Sequence, residues 1–250
     1  MFELPPETVV RPSICAILLV LIPLFIRRLN LLDMLSRSRW LSFAGGASAA
    51  FVFVHVFPEL SEGSRTIQQA DPFYVVAEQH VYVVALAGFT MFYGLEQYVK
   101  DSSRDLGGRQ NGQTNAGTFW VQLGPFAFYS CLIGYLLFNR HQPGLDSLVF
   151  FAIAMGLHFM ETDYGLREIH SELYDRVGRW ILAIATAVGA IIGFLVKFND
   201  VVIALLFAFL AGSVVLNVTR EGLPGEHKIR FRAFLTGGTV YTVLLLLSGL

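Results

Sequence analysis

The fold class that this sequence predicts is an all-α, polytopic membrane protein, and three observations point to it. Apolar residues make up 54% of the 250 positions against 15% charged, with a mean hydropathy of +0.57, far from the core-and-surface balance of a soluble domain. Apolar runs of about 20 residues, the length of helix that crosses a hydrocarbon core, recur with short polar breaks between them. The basic residues are also unevenly spread among those breaks. Together these predict a single domain over 1–250, a bundle of eight helices spanning 9–26, 39–60, 79–98, 118–138, 146–166, 177–196, 199–217 and 231–249. A count of seven stays open if the end of the fifth span is not inserted.

The first span is long enough to cross, and no small-residue cleavage pattern precedes Arg27 and Arg28, so it reads as a retained helix rather than a signal peptide. The second begins with AGGASAA (Ala44 to Ala50), where missing side chains permit close helix approach, and ends in FVFVHVFPELSEGS (Phe51 to Ser64). The third carries Glu78 and His80 at its start and Glu96 near its end. Residues 99–117 are rich in Gly, Asn and Ser and suit a flexible cytoplasmic loop. The fourth and fifth spans hold Cys131 and the polar run LHFMETDYGLREIH (Leu157 to His170). The sixth and seventh are separated only by Lys197 to Asp200 and must form a tight hairpin, and the eighth contains the pair Gly237 and Gly238.

With eight crossings and an external amino terminus, fourteen of the 18 Lys and Arg residues fall on one side, leaving Arg11, Arg65, Arg140 and Lys197 on the other. That bias puts both termini on the non-cytoplasmic side of a plasma or inner membrane. The two cysteines, Cys15 and Cys131, both lie in spans, which gives no disulfide framework. The near-balanced charge of the loop from Asp101 to Gly117 gives no special reason to invoke nucleic acid or an acidic partner.

Ionisable residues within the spans carry the functional reading, because a carboxylate at the bilayer centre costs about 2.5–3.5 kcal/mol on insertion scales and must face the bundle interior or a wet cavity. His55, Glu59 and Glu62 lie four and three residues apart, broadly on one helical stripe. Pro58 removes a donor and obstructs the carbonyl four residues back, which leaves backbone oxygen available near His55. An imidazole, two carboxylates and a carbonyl suit a first-row divalent ion such as zinc, manganese or iron. The plainer reading is that the helix reaches the interface near Pro58 and the glutamates begin a solvated loop.

The second constellation is His158 with Glu161 one turn on, and Asp163 less well aligned. Two ligands alone do not close a metal site, and a structural ion pair or a proton path competes with metal contact. The charged residues from Asp163 to Arg179 read as salt bridges between successive turns. Glu96 either snorkels, bonds a neighbouring helix or joins a site.

In order along the chain, these features resemble the ZIP family of divalent-metal transporters. FAGGASAAFVFVHVFPELSEG is similar to that family's second helix, GFTMFYGLEQYV with Glu96 to its third, and ATAVGAIIGF and FLAGSVVLNVTREGLP to its sixth and seventh. The resemblance covers nearly the whole chain and implies alternating access, with metal held mainly between helices four and five by histidine and acidic residues. There the sequence departs from the pattern. Tyr129 and Ile133 stand where the histidine and the acid are expected if Gly134 matches the family's following glycine, and Thr162 follows the matched His158 by four.

The expectation is therefore a divalent-cation transporter of ZIP-like type with a divergent site drawn from His55, Glu59, Glu62, Glu96, His158, Glu161 and Asp163. Its cargo is the metal, with no permanently bound cofactor, and its partners are membrane lipid and the ion, a homodimer being allowed. The alternative is a transport-inactive scaffold of the same type. An enzyme is not expected, since no nucleophile elbow or compact metalloprotease histidine pair is present.

Overall fold

A computed structural model describes residues 6–25, 37–70, 77–105, 116–140, 144–221 and 231–247. Among these residues every regular element is helical: α1 (Pro6–Phe25), α2 (Arg37–Phe51), α3 (Phe57–Ala70), α4 (Ala77–Asp105), α5 (Ala116–Phe138), α6 (Leu145–Leu173), α7 (Arg179–Leu195), α8 (Asp200–Glu221) and α9 (Phe231–Leu247). Two π-helical turns make continuous joints, Val52–Val56 between α2 and α3 and Tyr174–Gly178 between α6 and α7. The loop expected over 99–117 is helical as far as Asp105 and again from Ala116, while 106–115 lie outside the described residues.

The expectation of eight membrane spans is corrected. Among the described residues, four helical stretches are long and apolar enough to cross a membrane: Ser42–Ile67, Gly117–Phe138, Leu145–Arg167 and Ile169–Leu195. The stretches Val9–Phe25, Asp200–Leu216 and Phe231–Leu247 are apolar but shorter. The third expected span falls short for a different reason. Its helix is 29 residues long, but tyrosines, Glu96 and Gln97 dilute its apolar run. The chain is a helical polytopic membrane protein with fewer long apolar crossings than its run count implies.

Three helix pairs make the closest contacts: α5 with α7, α2 with α9 and α4 with α8. Small residues set each of them. A Cβ placed on Gly189 would lie 1.8 Å from the carbonyl oxygen of Cys131, one on Gly237 would lie 2.0 Å from that of Phe43, and one on Gly212 would lie 1.9 Å from that of Ala85. With no hydrophobic drive between helices in lipid, backbone approach of this kind is what holds them. The same helix shows both faces of the rule. In α7, Gly189, Ala190 and Gly193 turn inward, while Ile184, Val188, Ile191 and Leu195 are exposed.

The turn from α7 to α8 is as tight as the sequence requires. The Phe198 N–H donates to the Tyr135 hydroxyl at 3.0 Å, and the Asn199 side chain accepts from the Val202 N–H at 2.8 Å, capping the start of α8. One apolar core then runs through the bundle, and within it lie the large buried side chains Phe51, Tyr129, Phe151 and Met155.

Candidate functional site

The first ionisable pair is built by the joint between α2 and α3. The Phe57 N–H bonds to the Val52 carbonyl, five residues back rather than four, so the helix widens by one residue immediately before Pro58. Pro58 supplies no N–H to its own i−4 carbonyl, and a π-turn takes up the mismatch. His55 and Glu59 flank that turn, with Nε2 and Oε2 3.3 Å apart and both side chains buried, at 5% and 4% exposure. Buried polar groups are tolerated when they are paired, and here each group is the other's partner. Glu62, one turn further, is exposed and acts on Glu59 only through its charge.

Phe51 ties this pair to the second. Its ring, 1% exposed, stacks on His55 with centroids 5.2 Å apart and meets Tyr241 edge-on at 6.2 Å. Phe51 also lines a cavity of about 10 Å³, roughly the space of one water, together with Ser48, Met155, His158 and Glu161. His158 is buried there. Tyr129 tilts against it with ring centroids 5.0 Å apart, and the Thr162 hydroxyl stands 3.5 Å from its Nε2. These two neighbours occupy the positions where the family resemblance implies ligands. The Tyr129 hydroxyl is buried close to Ser213 without a well-formed hydrogen bond.

Asp163 belongs elsewhere. It accepts from the Tyr174 hydroxyl at 2.6 Å and pairs with Arg167 at 3.3 Å, and Arg167 in turn lies 3.1 Å from Asp175 and over the Tyr174 ring. This is the turn-to-turn ion pairing expected of the charged segment, closed across the second π-turn. His170, where the backbone of α6 leaves helical geometry (φ −128°, ψ 39°), is held by Gln122 of α5 at 2.8 Å and by the edge of Phe119. Glu96 is half-buried on α4.

Among the described residues, Arg140 is a basic group whose charge acts on the first pair. Arg140 follows the end of α5 by two residues, and its charge acts on Glu59, His55 and Cys15. Burial pushes its guanidinium down to about 10 while Glu59 and Cys15 pull it up, so it remains cationic at neutral pH.

The structure therefore brings His55 to Glu59 and places His158 and Glu161 on one cavity, and Phe51 touches both. It does not bring Asp163, Glu62 or Glu96 to them. Among the described residues, no group of three or more His, Cys, Asp or Glu is gathered to hold a metal ion. Sequence reasoning passed over Phe51, Tyr174 and Arg140. A signal for Phe51 was available in its place four residues before His55, on the same helical stripe. No family model, characterised protein or solved structure matches this chain.

Proposed function

We propose that the chain carries divalent metal cations through an intramembrane path of ZIP-like type, using His55, Glu59, His158 and Glu161 as exchanging ligands. The observation that carries this reading is Phe51, whose ring stacks on the imidazole of the buried His55–Glu59 pair and which also lines a water-sized cavity with a second imidazole and carboxylate. Two protein ligands at each station, completed by water, hold an ion weakly enough to release it. Zinc, manganese and iron fit the donor set, and the metal is cargo. The reading is of a transporter, not an enzyme. The reading includes a plasma or inner membrane, with both termini on the non-cytoplasmic side.

The test is uptake by sealed proteoliposomes across a zinc, manganese, iron, cobalt and cadmium panel, comparing the intact protein with His158→Ala. Saturable uptake of at least one ion that the substitution abolishes is expected. Uptake of none by folded protein would sink the transport reading. A second reading, a transport-inactive scaffold, is favoured by one observation: no three-ligand group forms among the described residues. It expects no uptake and no metal-induced stabilisation.

A further inference from the structure

Ser48 belongs to the small-residue stretch of α2, and the transport reading gives it no part. On a helix Ser48, Phe51 and His55 stand at i, i+3 and i+7, so α2 presents them along one stripe, with Ser48 one turn before the ring that stacks on His55. Ser48 lines the same water-sized cavity as His158 and Glu161. The other lining side chains are Phe51, Ala154, Val214 and Val218, which are apolar, and Met155, whose thioether is a weak donor. A ligand in that space therefore meets three polar side chains, one from α2 and two from α6. The Ser48 hydroxyl is also uncommitted. Other helix-borne hydroxyls bond to a carbonyl of their own helix, as Ser13 does to Val9 at 2.7 Å, Thr186 to Leu182 at 2.9 Å and Ser213 to Leu210 at 2.7 Å. Among the described residues Ser48 makes no hydrogen bond. A hydroxyl of this kind, on the wall of a space that one water or one ion fills, can turn its oxygen to the ligand.

Resting on the transport reading, we propose that Ser48 is a third protein ligand of the second station, and that it biases the ion held by His158 and Glu161 towards oxygen-seeking metals such as manganese and away from thiol-seeking ones such as cadmium. Two ionisable ligands do not close a site, and Ser48 adds an oxygen from a second helix on the wall of the same cavity. The donor set becomes one nitrogen and two oxygens, completed by water. Oxygen donors suit manganese, whereas softer ions are selected by thiolates. A hydroxyl is neutral and holds a cation less tightly than a carboxylate does, so it fixes the place of the ion and still lets it leave. The arrangement also gives α2 one donor at each station, His55 at the first and Ser48 at the second.

The experiment is equilibrium binding to the purified full chain in detergent, with Mn²⁺ read from the electron-spin resonance signal of the free ion and Cd²⁺ read by its displacement of bound Mn²⁺. The variants are Ser48→Ala, Ser48→Cys, His158→Ala, and Ser48→Ala combined with His158→Ala. Ser48→Ala removes one oxygen and should weaken Mn²⁺ binding by about tenfold, as the loss of a polar contact to a charged group does. The losses in the double variant should not add, because both residues serve one ion. Ser48→Cys places a thiol on the same wall and should lower the Cd²⁺ concentration that displaces half of the Mn²⁺ by about tenfold or more, a gain that misfolding cannot produce. An Mn²⁺ affinity within about twofold of the intact protein in Ser48→Ala, a Cd²⁺ preference unmoved by Ser48→Cys, or losses that add in the double variant would each overturn the proposal, as would an intact protein that binds no Mn²⁺. Failure here is separable from failure of transport. If binding responds as expected while proteoliposomes take up no metal, the site stands and transport falls. If uptake depends on His158 while the Ser48 variants bind as the intact protein does, the reverse holds.

Discussion

Gly189→Ala isolates the contact that fixes α5 on α7. The added methyl would stand 1.8 Å from the Cys131 carbonyl oxygen, 2.6 Å from its carbon and 2.9 Å from its Cα, all of them backbone atoms that no rotamer change can move. The two helices must separate by roughly 1 Å or more to restore van der Waals contact. Overpacking of this kind costs up to about 3 kcal/mol, and the helix-propensity gain of alanine over glycine returns about 1 kcal/mol. The net loss of about 2 kcal/mol corresponds to a fall of roughly 4–8 °C in the unfolding midpoint of a chain this size. Gly124→Ala is the matched control on α5, where an added Cβ meets nothing within 4 Å and only the propensity gain remains. Thermal unfolding of both variants in one detergent at one heating rate reads the difference. Equal midpoints for the two would refute the close approach of α5 and α7 and, with it, the placement of Tyr129 against His158.

Three further outcomes are expected. Tyr174→Phe removes the 2.6 Å hydrogen bond to Asp163, a buried acceptor, and should destabilise the protein by about 1–3 kcal/mol in the same melting assay. Phe51→Leu keeps an apolar side chain but removes the ring that stacks on His55 and lines the cavity, so on the transport reading passive Mn²⁺ leak into proteoliposomes should rise while the unfolding midpoint falls by only a few degrees; unchanged leak would remove Phe51 from the proposed path. Gln122→Leu breaks the 2.8 Å link to His170 and should speed amide exchange around the α6 bend, measured by hydrogen–deuterium exchange, ahead of the rest of α6.

The helical class and the small-residue contacts were legible in the sequence because each is local. AGGASAA, AVGAIIG and the Gly237–Gly238 pair mark the faces where α2, α7 and α9 meet their neighbours, and composition alone implied a membrane. The number of crossings was not legible in the same way. An apolar run shows that a stretch can be buried in lipid or protein, whereas spanning also needs a long apolar helical stretch, and among the described residues those of α1, α8 and α9 are shorter than the four that qualify. The π-turn before Pro58 was foreshadowed, since the missing N–H forces some irregularity there, but the one at Tyr174–Gly178 had no such marker.

The site divides along the same line. His55 with Glu59, four residues apart on one helix, follows from helical spacing, whereas the partners of His158 come from other elements or other turns and had to be seen. Asp163 shows the cost of reading spacing alone. It sits five residues from His158, yet its carboxylate is satisfied by Tyr174 from beyond the bend at His170, so it turns away from the cavity that His158 lines. Once that carboxylate is removed from the ligand set, each station has one imidazole and one carboxylate. On the proposed transport reading, a pair of that size suits transit rather than storage, because an ion held by two protein ligands and water can leave by exchanging one of them at a time.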